Sequence, residues 1–417
     1  MVKGQFVLAT NNGAITIVHW TGPSEVINVP KTIYGMPVTT IGDQAFAYED
    51  EIGFVTIPDG VTNIGAFAFY NCTGLWGVVL PDSLATINSQ AFMNCTSLTN
   101  ITLPNSLLSI GAFCFYECVS LTSIKIPDNV STVGTWAFEN CFSLTNAEIG
   151  KGVTNLTVTT FWFCTNLLAI DVDPLNRSFS TSGGVLCDNT QTTLIACPGG
   201  KAGDYSIPDT VTMIGVAAFA QCPNLTSVSV GRSVTNITFL AFYGCENLTN
   251  VWLPNGLVRI EREVFSSCIR LENIEIPRSV VTLGPYAFYQ CNNLTTAVIG
   301  DGVTEIDYLC FFGCSNLANV TLSKNLTRIS PGAFAACTAL SSILIPKKVT
   351  NIENGAFVAC PNLEAVFFLG NAPIAPVCVS CDNTNAVAYY LKGTKGWSAT
   401  FSDLPTSEWT HKEAAHY

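Results

Sequence analysis

A chain of 417 residues with 48% hydrophobic and 12% charged residues holds enough apolar material for a long core, and far too much for a disordered polymer. Its formal net charge is −12, with no basic stripe and no block of like charge. Phosphate binding needs clustered Lys and Arg, so nucleic acid and polyanionic surfaces are excluded as partners. No uninterrupted apolar run reaches about 18 residues, so no membrane insertion is expected.

The stretch Met1-Val2-Lys3-Gly4-Gln5-Phe6 lacks the apolar centre of a secretion signal. Two expectations stay open: an intracellular protein, or an exported one whose leader has been removed. Residues 1–37 read as an N-terminal β cap, with strand-like Phe6-Val7-Leu8, Ala14-Ile15-Thr16-Ile17-Val18 and Val26-Ile27-Asn28-Val29. His19, followed by Trp20, reads as a residue packed in that cap.

A 23-residue period then takes over. Phe recurs at 46, 69, 92, 115, 138 and 161, and again at 219, 242, 265, 288, 311, 334 and 357. Cys follows three residues after twelve of these thirteen, and the coil Ile41 to Phe46 is the one without it. Three residues further on comes Leu, from Leu75 to Leu363. One unit runs from Ile101 through Leu103-Pro104, Leu107, Ile110-Gly111 and Cys114-Phe115 to Cys118 and Leu121. Two short alternating stretches of β-branched residues predict strands. Pro after the first stretch stops it, and Gly after the second suits a tight corner. The A-F-x-x-C segment predicts a short helical or 3-10 turn. Such a unit cannot bury its apolar residues alone, but stacked copies can, with columns of Phe and Leu in the middle.

These residues resemble the BspA-like class of leucine-rich repeats. Leu98-Thr99-Asn100-Ile101-Thr102-Leu103 through Leu107 matches the general signature, and the I-G-x-x-A-F-x-x-C-x-x-L continuation is particular to the class. The expected fold is a repeat solenoid: a leucine-rich-repeat-like, right-handed, β-rich superhelix with short strands and short helical or 3-10 turns. It has about 13 coils plus terminal caps. The repeats occupy residues 38–369. Within them, 171–206 is an enlarged coil rather than a domain boundary, because Phe161 to Phe219 spans 58 residues and Gly183 to Gly200 reads as a hairpin insertion. Residues 370–404 resemble the family's C-terminal cap, and 405–417 read as a flexible tail.

Eighteen Cys invite a disulfide reading, but position argues otherwise. Twelve form the ladder, and Cys114 and Cys310 stand in for the small Ala. Ladder neighbours about 4.8 Å apart and pointing the same way do not converge as a disulfide requires. A reduced ladder of buried thiols is expected. Cys187 and Cys197 face either a hairpin disulfide or two thiols, and Cys378 and Cys381 likewise. No metal is expected at Cys378-Cys381, since zinc needs two more ligands.

Catalytic chemistry finds no support. The three His (His19, His411 and His416) lie in the cap and the tail, away from any nucleophile motif. Asp171 and Asp173 read as a solvated edge, with a calcium site as the alternative, and Glu261-Arg262-Glu263 as surface pairing. No enzyme, cofactor or metal is predicted. The N-x-T triplets follow from repeat composition and are not read as glycosylation sites.

Binding surfaces are sought among outward columns. In I-x-L the middle residue points out, giving Val79, Thr102, Lys125, Trp252, Val298, Leu344 and Phe367 as candidate contacts. Trp252 is the sharpest of these, because Trp is enriched at binding hot spots. The column after A-F gives Tyr70, Tyr116, Trp162, Tyr243 and Tyr289, which either grip a ligand or shield the turn edge.

The resemblance implies a surface or secreted adhesin-like protein. The expected role is a non-catalytic recognition module for a protein or glycan ligand, extracellular or on the cell surface. An intracellular (cytoplasmic) interaction scaffold is the alternative, as is a structural protein that self-associates through its solenoid ends.

Overall fold

The computed structural model describes residues 5–23, 25–375, 378–380 and 385–409. The chain divides into two compact units, Met1–Lys201 and Ala202–Tyr417. The division falls within residues 171–206. The cause is local: Phe179–Ser182, Val185–Asp188 and Thr193–Ala196 form an antiparallel meander that interrupts the 23-residue succession.

Each unit is a β-solenoid. In the first, one set of parallel strands comprises Val26–Asn28, Phe54–Thr56, Gly77–Val79 and Asn100–Ile101. The strands Ser123–Ile126, Asn146–Ile149 and Ala169–Val172 form a further parallel set. A second face carries two-residue strands, in register 23 residues apart: Asn63, Thr86, Ser109 and Thr132 lie side by side. The second unit repeats this plan, with Asn236, Arg259 and Thr282 in one such row. The outer end of the first unit is an antiparallel hairpin of Phe6–Asn11 with Ala14–Trp20. The second unit closes on Val387–Leu391, Leu404–Trp409 and the antiparallel Thr400–Phe401. Residues 405–409, expected to be loose, thus form a strand, held by a full row of register partners from Ala388 to Leu391. Residues 410–417 lie outside the described residues.

The core of each unit is the predicted pair of columns. Phe46 through Phe138 and Phe219 through Phe357 are fully buried, and Phe161 nearly so. Successive rings stack almost parallel, with centroids 5.0 Å apart for Phe69–Phe92 and 5.3 Å for Phe265–Phe288. That is close to the strand spacing, as stacked coils require. Gly134 shows why the corner excludes a side chain: a Cβ there would lie 2.2 Å from the backbone nitrogen of Ala112 in the preceding coil.

The A-F-x-x-C segment is a turn and not a helix. Among the described residues the only helix is the four-residue 3-10 segment Val158–Phe161. Two left-handed residues per coil, such as Phe113 (φ 55°) and Glu117 (φ 57°), break the helical path. Main-chain donors alternate accordingly. Tyr116 N–H bonds Phe113 O within the turn, whereas Phe115 N–H reaches Ala137 O in the next coil. The 3-10 exception falls where Thr157 and Thr160 replace the usual Gly and Ala, and the Thr160 hydroxyl accepts from the Thr157 N–H.

The ladder thiols are buried and reduced. Eleven of the twelve donate to the carbonyl of the Phe twenty-six residues earlier, as Cys95 to Phe69 at 3.1 Å, Cys141 to Phe115 at 3.2 Å and Cys291 to Phe265 at 3.1 Å; for Cys222 that position is Ala196. No disulfide joins Cys187 to Cys197, because the register places Leu194 opposite Cys187 and the Cys187 thiol turns to Val185 O. Cys378 is disulfide-bonded, and Cys381 lies outside the described residues.

Candidate interaction surface

The strand face of each unit is set by alternation. In Ser123–Ile126, Ile124 and Ile126 are buried, while Ser123 and Lys125 are exposed. Thr residues bordering this face tie coil to coil: Thr122 Oγ1 donates to Thr99 O at 3.2 Å and Thr145 Oγ1 to Thr122 O at 3.1 Å. A polar, hydroxyl-rich floor results, and exposed apolar side chains stand out against it.

In the first unit the outward column presents Val79, Thr102 and Lys125, all exposed. Lys125, Glu148 and Asp171 lie in register on adjacent strands, with Lys125 Nζ 3.2 Å from Glu148 Oε2. Nearby, the Lys151 ammonium bonded to Asp128 holds that carboxyl below its usual range. Asp173 is taken up by its own turn, accepting from Leu175 N–H at 2.8 Å. Among the described residues no group of three or more His, Cys, Asp or Glu is placed to hold a metal ion.

In the second unit Trp252 is 56% exposed on Asn250–Trp252, with Ser229 beside it in register. Val298 lies between Glu275 and Thr321 and is also exposed, as is Leu344. Phe367 is different, and the expectation that it is an exposed contact is corrected. It pairs with Leu344 and Tyr389 on adjacent strands, yet it is only 4% exposed. Tyr389 stacks on it at 5.1 Å, and the ring of Trp409 meets it edge-on at 5.0 Å. The C-terminal strands cover it.

The turn-edge rings are half-buried. Tyr70 packs edge-on against Phe67 and Tyr48, and Tyr116 against Phe113; Trp162 lies tilted at 34° against Phe163, and Tyr289 stacks on Phe312 at 5.1 Å. Tyr243 is half-buried in the same column. The Trp162 indole nitrogen is buried without a hydrogen-bond partner among the described residues. Glu139, in the same column, has its carboxyl pushed up to about 7, first by burial and then by neighbouring Glu117. His19, expected to pack, is exposed, and Trp20 supplies the packing, 4.8 Å from Phe6. Arg262 pairs with Glu263 at 2.7 Å, as surface pairing predicts, and lies over the Phe239 and Tyr286 rings.

Column reading passed over two rings, Phe54 and Trp76, whose centroids are 4.7 Å apart on the first unit's strand face. A signal was present: the Trp76 position is occupied by Thr in the next three coils, at Thr99, Thr122 and Thr145.

Coils of 23 residues, each adding a short parallel strand, a buried Phe and a buried Leu, define a leucine-rich-repeat β-solenoid whose variable positions lie outward. The chain belongs to the BspA type leucine rich repeat family, whose region profile matches residues 39–178, 201–315 and 259–375. Among solved structures, a leucine rich cell surface protein of Faecalibacterium prausnitzii is 30% identical, covering 76% of this chain and 93% of its own, with a TM-score of 0.59. A leucine-rich repeat protein of Eubacterium ventriosum is 25% identical over 84% of this chain and 91% of its own, with a TM-score of 0.66. One of Bacteroides ovatus is 22% identical over 97% and 98%, with a TM-score of 0.61. No curated protein matches the chain. Among the described residues no helix is long and apolar enough to cross a membrane.

Proposed function

We propose that this protein is a non-catalytic recognition module of the cell surface, binding a protein or glycan through the outward strand face. The observation that carries this reading is Trp252. It stands more than half exposed on a strand, and Val298 and Leu344 are further exposed apolar members of the same outward column. Burying such a ring against a partner is a typical source of binding energy. The turn-edge rings are weaker candidates, because part of each surface is already spent on a neighbour. Similarity to a cell surface protein of F. prausnitzii supports the location. Reduced thiols do not argue for the cytoplasm, since the ladder Cys are buried and their S–H groups are occupied.

Binding of the purified chain to printed glycan and protein arrays, with antibody detection on intact source cells, tests this reading. Saturable array binding and surface labelling are expected. Absence of any saturable ligand, or labelling only after lysis, contradicts it.

A further inference from the structure

Two coils of the first unit depart from the repeat at one place. At the position after the repeat Leu, or after its Ile52 counterpart, Gly53 and Trp76 precede Thr99, Thr122 and Thr145. At the next position, Phe54 and Gly77 precede Asn100, Ser123 and Asn146. Glycine and ring alternate between the coils, and they interlock. A Cβ on Gly53 would lie 2.8 Å from Trp76 Nε1, and a Cβ on Gly77 would lie 2.9 Å from two ring carbons of Phe54. Each ring therefore rests directly over the backbone of a glycine in the adjacent coil. The rings meet at 4.7 Å with an interplanar angle of 35°, and Trp76 keeps 49% of its surface in water.

Polar groups border this pair. Glu25 Cγ would lie 3.0 Å from the same Gly53 Cβ, so the Glu25 side chain and the indole nitrogen meet over one glycine. Asn100 is exposed and in register with Gly77, as Val26 is with Phe54 on the other side.

We propose that Trp76 and Phe54 form a stacking platform for an uncharged pyranose ring, making this part of the strand face a glycan subsite. A tryptophan half in water is not filling the core, and its seat on glycine fixes the ring before a ligand arrives, which lowers the cost of ordering it. A sugar presents an apolar C–H face to such a ring and hydroxyls at its rim. The Glu25 carboxylate accepts from hydroxyls, and the Asn100 amide both donates and accepts. A carboxylate at the rim repels an acidic sugar, so the occupant is neutral. This rests on the reading of the strand face as the recognition surface and names a ligand class for it.

The test titrates the full chain with three neutral hexasaccharides, of β-1,4-linked glucose, β-1,4-linked N-acetylglucosamine and α-1,4-linked glucose, and with a sialylated oligosaccharide as the acidic control. Calorimetry and tryptophan fluorescence follow binding. At least one neutral hexamer binds and the sialylated one does not. Trp76→Ala weakens that binding about tenfold or more. Gly53→Ala, which keeps the ring but displaces it, weakens it too. Phe142→Ala, which removes an exposed ring of the first unit that lies in a turn off the strand face, leaves it unchanged, and thermal melts show that the variants fold. The proposal is overturned if no neutral hexamer binds, if only the sialylated one does, or if Trp76→Ala binds as wild type. Concentration-dependent dimerisation abolished by Trp76→Ala would assign the rings to a second copy and also overturn it. Saturable binding to a protein without oligosaccharide binding would overturn the glycan assignment while leaving the strand-face reading intact.

Discussion

The Cys268 thiol donates to the main-chain carbonyl of Phe242, twenty-six residues earlier, across 3.2 Å of fully buried space. That carbonyl also accepts from the Cys245 N–H at 3.3 Å, so the side chain of one coil and the main chain of another meet on one oxygen. The same relationship recurs along both units, as for Cys118 on Phe92 and Cys337 on Phe311. It explains why a small, weakly polar donor is used here: it fills the space and its S–H has an acceptor. Cys268→Ala removes the donor and leaves a small cavity, and is expected to cost about 1–3 kcal/mol. Chemical denaturation of the variant against wild type measures it.

Alkaline pH addresses the ladder collectively. Burial pushes the thiols of Cys72 and Cys268 up from the ordinary value near 9 to about 12, and Cys360 to about 11. An acid with a raised folded-state value keeps its proton where the unfolded chain loses it. These thiols therefore leave stability unchanged below about pH 9 and subtract from it as pH rises from there, toward 12 for Cys72 and Cys268 and toward 11 for Cys360, each by about 1.4 kcal/mol per pH unit. Unfolding is expected in that window, with thiolate absorbance rising together with loss of circular dichroism. Thiolate appearing gradually in a chain that stays folded would contradict the burial argument.

The Phe column makes a sharper stability prediction. Phe265 lies between Phe242 and Phe288, each 5.3 Å away, and is fully buried. Phe265→Ala is expected to cost about 3–5 kcal/mol. Denaturation curves check this, and a loss below about 1 kcal/mol would show that the column collapses freely.

The covered Phe367 gives a fourth check. Trp409, itself buried, meets it edge-on at 5.0 Å. Trp409→Ala is expected to expose Phe367, raise binding of an apolar dye and destabilise the C-terminal strands by about 3–5 kcal/mol. No change in dye binding would mean that Tyr389 alone suffices.

The residues themselves show why some features were legible and others were not. Phe46 to Phe138 declare the stack because their spacing is one constant, and Ile124 and Ile126 declare their face by alternation. The A-F-x-x-C turn keeps bonds of 3-10 type, as from Cys118 N–H to Phe115 O, but does not continue as a helix, because its breakers are left-handed residues such as Phe113 and Trp136, which carry no glycine signal. Phe367 looked exposed because its covers, Tyr389 and Trp409, lie beyond the last repeat and outside its period. Trp76 lies outside the outward columns, and its signal is a departure from a Thr column together with two glycines beneath the rings.

The proposed function assigns recognition to the outward strand face and not to the turn edge. Affinity for the array-selected ligand, compared among wild type, Trp252→Ala and Tyr289→Ala at matched thermal stability, tests it most directly. Trp252→Ala is expected to weaken binding about tenfold or more while Tyr289→Ala leaves it within about twofold. Unchanged affinity in Trp252→Ala together with a loss in Tyr289→Ala would contradict it.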